Sequence, residues 1–128
     1  MRILLDTHVA LWAITDDSRL SAQARKIILD EHADIFVSAA TVWEIAIKHS
    51  LARADTPVSG REAAAWFEAA GYALLSVSAV HAAAVEDLPA IHADPFDRIL
   101  VAQALTEPLR LLTHDRTVAQ YSDTIVRV

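Results

Sequence analysis

His92-Ala-Asp94-Pro95-Phe-Asp97-Arg98-Ile-Leu100-Val101-Ala-Gln-Ala104 carries a helix start in its first residues. Asp94 supplies an N-cap acceptor, and Pro95 takes the first helical position, where its fixed φ and missing N–H cost nothing. Wound at about 100° per residue, the segment places Leu100, Val101, Ala104 and Leu105 on one apolar stripe. Asp97 falls inside that stripe, with Leu100, Val101 and Ala104 stacked on its own face. A carboxylate heading a buried helix face is costly unless something positive meets it. The helix N-terminus with its free amides is one such partner. A bound cation is another, and the rest of the chain weighs between them.

Outward from this helix, five short apolar runs read as strands: Ile3–Leu5, Ile35–Val37, Ala73–Leu75, Leu109–Leu112 and Ile125–Val128. They are nearly continuous rather than alternating, as expected for strands covered on both faces. Helical patterns fill the gaps. Thr7–Ile14 follows the first strand, and Ser21–Glu31 opens with a capping serine. Ser38 caps a helix from about Ala39 to Ser50, and Ser59-Gly60-Arg61-Glu62 is a capping box before a helix stopped at Gly71. Ser78 caps another helix ending before Pro89, and Pro108 closes the Asp94 helix. Strands alternating with helices imply right-handed crossovers and a parallel sheet. The expected fold is α/β, a three-layer α/β/α domain with a mostly parallel, about five-stranded sheet, spanning residues 1–128 as a single domain.

The 128 residues suffice for one core without staples. A content of 54% hydrophobic and 22% charged residues describes an ordinary compact protein. There is no cysteine, so any metal must use carboxylates or histidine. The net charge of −6, from 17 acidic against 11 basic residues, argues against a non-specific nucleic-acid binder with a basic face. It suits a basic protein partner or an acidic site for divalent cations. Met1–Leu5 and Val9–Ile14 are too short for a signal core or a membrane span, so a soluble, cytoplasmic protein with no membrane association is expected.

Ligands of an open parallel sheet bind at the carboxyl ends of its strands. Asp6 follows the first apolar run and Asp115 lies just beyond the fourth. Crossover helices run antiparallel to the strands, so Asp94 and Asp97 fall at the same edge. Glu44 lies two turns into the Ser38-capped helix, roughly 9 Å from its start. Taken alone, Glu44 reads as a solvated partner of Lys48 at i+4. A strand-end aspartate is likewise often a cap or turn residue. Acids from separate segments that converge on one edge repel unless a cation neutralises them, and Mg2+ or Mn2+ prefers such oxygen ligands.

His8, His92 and His114 each neighbour an acid, but no HExxH motif or i, i+4 histidine pair occurs, which disfavours a histidine zinc site. Trp12, Trp43, Trp66 and Phe67 read as core or interface anchors. An aspartyl-phosphate phosphotransferase or phosphatase using Asp6 is a rival reading, although the usual second aspartate two residues on is His8 here. A non-catalytic interaction domain, with the acids as helix caps, is another.

The ordered series Leu5-Asp6-Thr7, Ser38-Ala-Ala-Thr-Val-Trp-Glu44-Ile, Asp94-Pro-Phe-Asp97-Arg-Ile-Leu-Val-Ala-Gln-Ala and Leu-Leu-Thr-His-Asp115 resembles a PIN domain. More narrowly, it resembles the VapC-type ribonuclease toxins of bacterial toxin–antitoxin pairs, over essentially the whole chain. The resemblance implies that Asp6, Glu44, Asp97 and Asp115 form an acidic quartet holding Mg2+ or Mn2+, with Asp94 as a further ligand or only an N-cap. Thr7 corresponds to the small hydroxyl that follows the first acid, behind the metal ligands rather than among them. The implied activity is hydrolysis of RNA phosphodiester bonds by a metal-activated water. The implied partners are the RNA substrate, a cognate VapB-like antitoxin and a second copy in a homodimer. Arg98 and Arg116 are candidates for contacts to substrate phosphates, since guanidinium pairs bidentately with them.

Overall fold

Strand β1 (Arg2–Leu5) occupies the middle of a five-stranded sheet whose order is β3-β2-β1-β4-β5. The structure, a computed structural model, describes residues 1–54 and 56–128. The remaining strands are β2 (Asp34–Ser38), β3 (Ala73–Leu75), β4 (Arg110–Thr113) and β5 (Val126–Arg127). Every pairing is parallel: Leu4 lies opposite Phe36 on one side and Leu111 on the other. The helices are α1 (Thr7–Thr15), α2 (Ala22–Ile28), α3 (Ala39–Ser50), α4 (Gly60–Ala69), α5 (Ala79–Ala84), α6 (Pro95–Thr106) and α7 (Arg116–Ala119).

The alternation of side chains along β1 builds two cores. Ile3 and Leu5 join Ile35, Val37 and Leu112 under α1, α2 and α4. Leu4 points the other way, to Leu111, and meets Leu100, Val101 and Ala104 of α6 and Val118 of α7. Leu4, Leu5 and Leu111 are fully withdrawn from solvent, each worth about 1.5–3 kcal/mol of burial. Covered on both faces, the strands have no reason to alternate in polarity.

Two local expectations need correction, and one short helix was not expected. Helix α2 stops at Ile28, not Glu31, because the Asp30 carboxylate accepts the His32 N–H at 2.8 Å and turns the chain. Leu105 is 44% exposed; α6 buries Ala102 and Gln103 instead, because its second flank lies against α5 and the segment before it, where the Gln103 amide donates to Ser76 O. The single-turn α7, which sequence periodicity did not show, exists because Asp115 caps it. Trp12 and Phe67 are core residues, whereas Trp43 and Trp66 are exposed.

Gly60 opens α4 inside the expected capping box, in which both reciprocal bonds form. A Cβ there would sit 2.8 Å from Ala46 Cβ and 3.2 Å from Val42 O of α3. Neither atom has a flexible end that can yield, so the two helices must part. Gly60→Ala should therefore destabilise the fold by about 1–3 kcal/mol, the scale of an overpacked contact, read as a lower urea midpoint with unchanged slope.

Candidate active site

The side chain of Asp6 leaves the end of β1 and caps α1. Its Oδ1 accepts the Val9 N–H at 2.8 Å, and its Oδ2 accepts the Thr113 hydroxyl at 2.5 Å. Its own N–H donates to Leu112 O at 3.0 Å, so β1 and β4 together fix it. Burial pushes the Asp6 carboxyl pKa up, against the hydrogen bonds from Thr113 and Val9 that favour the anion.

Glu44 enters from α3 and is 4% exposed. The Thr7 hydroxyl donates to its Oε1 at 2.8 Å, and Lys48 Nζ stands 2.6 Å from its Oε2. The i+4 pairing expected from the sequence is therefore present, but it is buried rather than solvated. Thr7 also shares a hydrogen bond with the buried Thr41 at 3.2 Å. Thr7 thus orients Glu44 and does not touch Asp6 in these contacts.

Asp97 occupies the first turn of α6. Its pKa is pushed up to about 7, first by burial, then by the charges of Asp94 and Asp6, with Glu44 adding to them; His92 offsets part of the rise. Acids from β1, α3 and α6 are thus close enough to feel one another. Asp94 serves as the N-cap, accepting the Phe96 N–H at 2.8 Å, and its charge still reaches Asp97.

Asp115 is held differently. Its Oδ1 accepts the N–H groups of Thr117 and Val118 at 2.7 and 3.3 Å. Burial works against its charge, but those amides and His92 outweigh it and hold the carboxyl below its ordinary pKa. The Thr113 hydroxyl, which donates to Asp6, accepts the Asp115 N–H at 3.0 Å and ties the two aspartates together.

His92 was not among the site residues expected from the sequence. Its Nε2 lies 3.3 Å from Asp97 Oδ2 and 3.4 Å from Asp115 Oδ2. Among the described residues, His92, Asp97 and Asp115 present ligand-type atoms all within 4.8 Å of one another. The available signal was its place two residues before the cap, where its Nδ1 accepts the Asp94 N–H at 3.0 Å.

The guanidinium of Arg98, a candidate for substrate phosphates, makes its hydrogen bonds inside the fold. It donates to Pro89 O and Tyr121 Oη, each at 3.0 Å, and to Val85 O at 3.2 Å. A side chain that satisfies several backbone carbonyls of one loop is a brace for that loop. Arg116 is exposed at the start of α7.

A groove of about 700 Å3 lies beside the start of α6, lined by Ala40, Trp43, Val77, Val85, Phe96 and Ile99 among others. Trp43 and Phe96 meet edge to face at 5.2 Å. This wall is apolar, in contrast to the acids at the sheet edge.

The donor chemistry of that edge fits a hard divalent cation. Asp6, Glu44 and Asp97 offer carboxylate oxygens only, and the strain of Asp97 among its neighbours is relieved by positive charge. Lys48 balances only one of the acids.

Comparison with known proteins agrees with this architecture. The family model for the PIN domain matches residues 3–123. The chain is 32% identical over 123 residues to Ribonuclease VapC22 of Mycobacterium tuberculosis (strain ATCC 25618 / H37Rv), covering 93% of this chain and 91% of that protein. Two solved structures share the fold. VapBC2 from Rickettsia felis, bound to a DNA fragment from their promoter, superposes with a TM-score of 0.72 at 15% identity, covering 100% of this chain and 98% of that one. FitAcB from Neisseria gonorrhoeae superposes with a TM-score of 0.63 at 22% identity, covering 98% and 96%.

Proposed function

The chain belongs to the PIN-domain family, and from that premise we propose that it is a divalent-metal-dependent endoribonuclease, the VapC-type toxin of a toxin–antitoxin pair. The observation that carries the mechanism is the burial of Asp6 and Glu44 beside an Asp97 whose carboxyl is pushed up to about 7. Acids that repel at a sheet edge are the mark of a missing counter-charge. The similarity to Ribonuclease VapC22 supports RNA as the substrate.

In this reading Asp6, Glu44 and Asp97 hold Mg2+ or Mn2+, with Asp115 at the rim. A bound ion would supply a lowered pKa for its water and neutralisation of charge on the phosphate and leaving oxygen. The chain's own groups keep the carboxylates aimed. Val9 N–H and the Thr113 hydroxyl fix Asp6, and the Thr7 hydroxyl and Lys48 fix Glu44. Arg116, exposed beside Asp115, is the remaining candidate for a substrate phosphate.

The apolar groove with Trp43 and Phe96 supports the docking of a VapB-like antitoxin beside the acids. Exposed Val80, which does not line that groove, supports a homodimer. Residues 1–128 act as one domain in this proposal. No helix among the described residues is long and apolar enough to cross a membrane.

The test is cleavage of an end-labelled single-stranded RNA by purified protein. Cleavage should require Mg2+ or Mn2+, stop in excess EDTA and resume when the cation is restored. Undiminished cleavage in EDTA by nuclease-free preparations would remove the mechanism.

A further inference from the structure

We propose that the rings of His8 and His114, backed by Trp12, form a subsite that stacks one nucleobase of the RNA substrate beside the acids. The inference rests on the ribonuclease reading and adds to it how the strand is held.

Three aromatic rings and a guanidinium meet at this point. Trp12 of α1 is buried against the core. His114 stands edge to face against it with ring centroids 5.2 Å apart, and His8 lies tilted at 5.7 Å. Both imidazoles are themselves exposed. The Arg19 guanidinium covers the same indole, 5.3 Å from its centroid. These four side chains line a hollow of about 300 Å3, at the low end of ligand-sized clefts. It shares no lining residue with the apolar groove of Trp43 and Phe96.

Position and charge together select the occupant. His8 lies in the first turn of α1, the helix that Asp6 caps. His114 lies between Thr113, which donates to Asp6, and Asp115. A strand with a phosphate at the acids therefore carries a neighbouring base past this hollow. A phosphate in the hollow would need an uncompensated cation, but Arg19 Nε and Nη2 donate to Asp17 at 3.0 and 2.8 Å, which offsets the guanidinium charge. Aromatic rings offer instead a π-face, which any nucleobase can match. An apolar protein segment finds the larger apolar wall in the Trp43 groove; the imidazole rim here suits a flat heterocycle with polar edges. Stacking requires neither ring to carry a charge.

The experiment titrates a short, fluorescein-labelled single-stranded RNA with full-length protein. Anisotropy in EDTA reads affinity on intact RNA, and cleavage in Mg2+ gives KM and kcat. The double variant His8→Ala, His114→Ala should weaken binding and raise KM by roughly 5–100-fold, the loss of one stacked base, with a smaller change in kcat. His8→Phe, His114→Phe, which keeps both faces, should restore most of the affinity. An RNA with one abasic ribose, stepped along the sequence, should lose the same factor on wild type when the gap lies beside the cleavage point. The two losses should not add. The abasic scan uses wild-type protein, so it decides the matter should the alanine variant not fold. If wild type cleaves RNA while affinity and KM ignore the loss of both rings, the subsite falls, the ribonuclease reading stands and the hollow is left to a protein partner. Lower kcat at unchanged KM also overturns the proposal, because the rings would then act on the acids and not on the strand. Wild type that neither binds nor cleaves RNA overturns the ribonuclease reading and this inference with it.

Discussion

Asp97→Asn should lower RNA cleavage by roughly 10²–10³-fold or more, the scale for losing one preorganised electrostatic group, while the folded protein in EDTA melts at or above the wild-type temperature. Loss of activity and gain of stability in one variant is an unusual pairing, and the site explains it. As a first-turn residue, Asp97 gains a favourable helix-terminus interaction of about 0.3–1 kcal/mol, which asparagine forfeits. Against this stands the repulsion from Asp94, Asp6 and Glu44 together with the burial of a charge. At neutral pH those penalties exceed the lost dipole term. Adding Mg2+ should then stabilise wild type by about 2.7 kcal/mol at a hundredfold excess over Kd, and the variant much less. A variant that melts clearly lower in EDTA, and responds to Mg2+ as wild type does, would identify Asp97 as a structural cap.

The stability of the metal-free protein should fall as pH rises from about 4 to 7 and level off above that, by about 1–3 kcal/mol from Asp97 once solvent screening of this partly exposed group is allowed for. The sign follows from proton counting. Between the ordinary value of 3.8 and about 7, folded Asp97 holds a proton that the unfolded chain has released. Raising pH through that window removes the proton from the folded state and introduces a charge beside other carboxylates. Asp6, also raised by burial, contributes in the same direction. Asp115 and Asp17, both lowered, act oppositely and only toward the acidic end. Urea unfolding in EDTA across this range measures the slope, and Asp97→Asn should flatten it. Saturating Mg2+ should also flatten it in wild type, because a bound cation favours the anion. A wild-type curve that rises between pH 4 and 7 would place a counter-charge at Asp97 that outweighs its neighbours.

The strands and most helix starts were legible because they are written locally. Ser38, Ser59, Ser78 and Asp94 each cap the helix they announce, and a continuous apolar run is what a strand between two layers of helices requires. The placing of Asp6, Asp94, Asp97 and Asp115 at one sheet edge followed from the parallel topology alone. The burial of Glu44 did not, because a border position on a helix wheel says nothing about the Thr7 hydroxyl waiting 37 residues away in sequence. His92 and Arg98 were read by type and neighbourhood. Their contacts run to Tyr121, 29 and 23 residues on, and to a loop whose path periodicity cannot give. The exposure of Trp43 against the burial of Trp12 was likewise settled by which helix faces the sheet.

The central position of β1 has a consequence for the order in which this protein comes into being on the ribosome. Its two neighbours are β2, which follows within a few dozen residues, and β4, which is made more than a hundred residues later. The Thr113 hydroxyl that grips Asp6 is 107 residues away along the chain. Ring closure over such a span is slow compared with local helix formation. During vectorial synthesis β1 can pair on one side only, and the chain carries a half-made sheet with an open edge. Asp6 lacks its β4 partners until residue 113 has cleared the exit tunnel. If the proposed ribonuclease activity holds, a nascent chain of this topology is harmless to the message it is being read from, and reactivity arrives only after the fourth strand has docked.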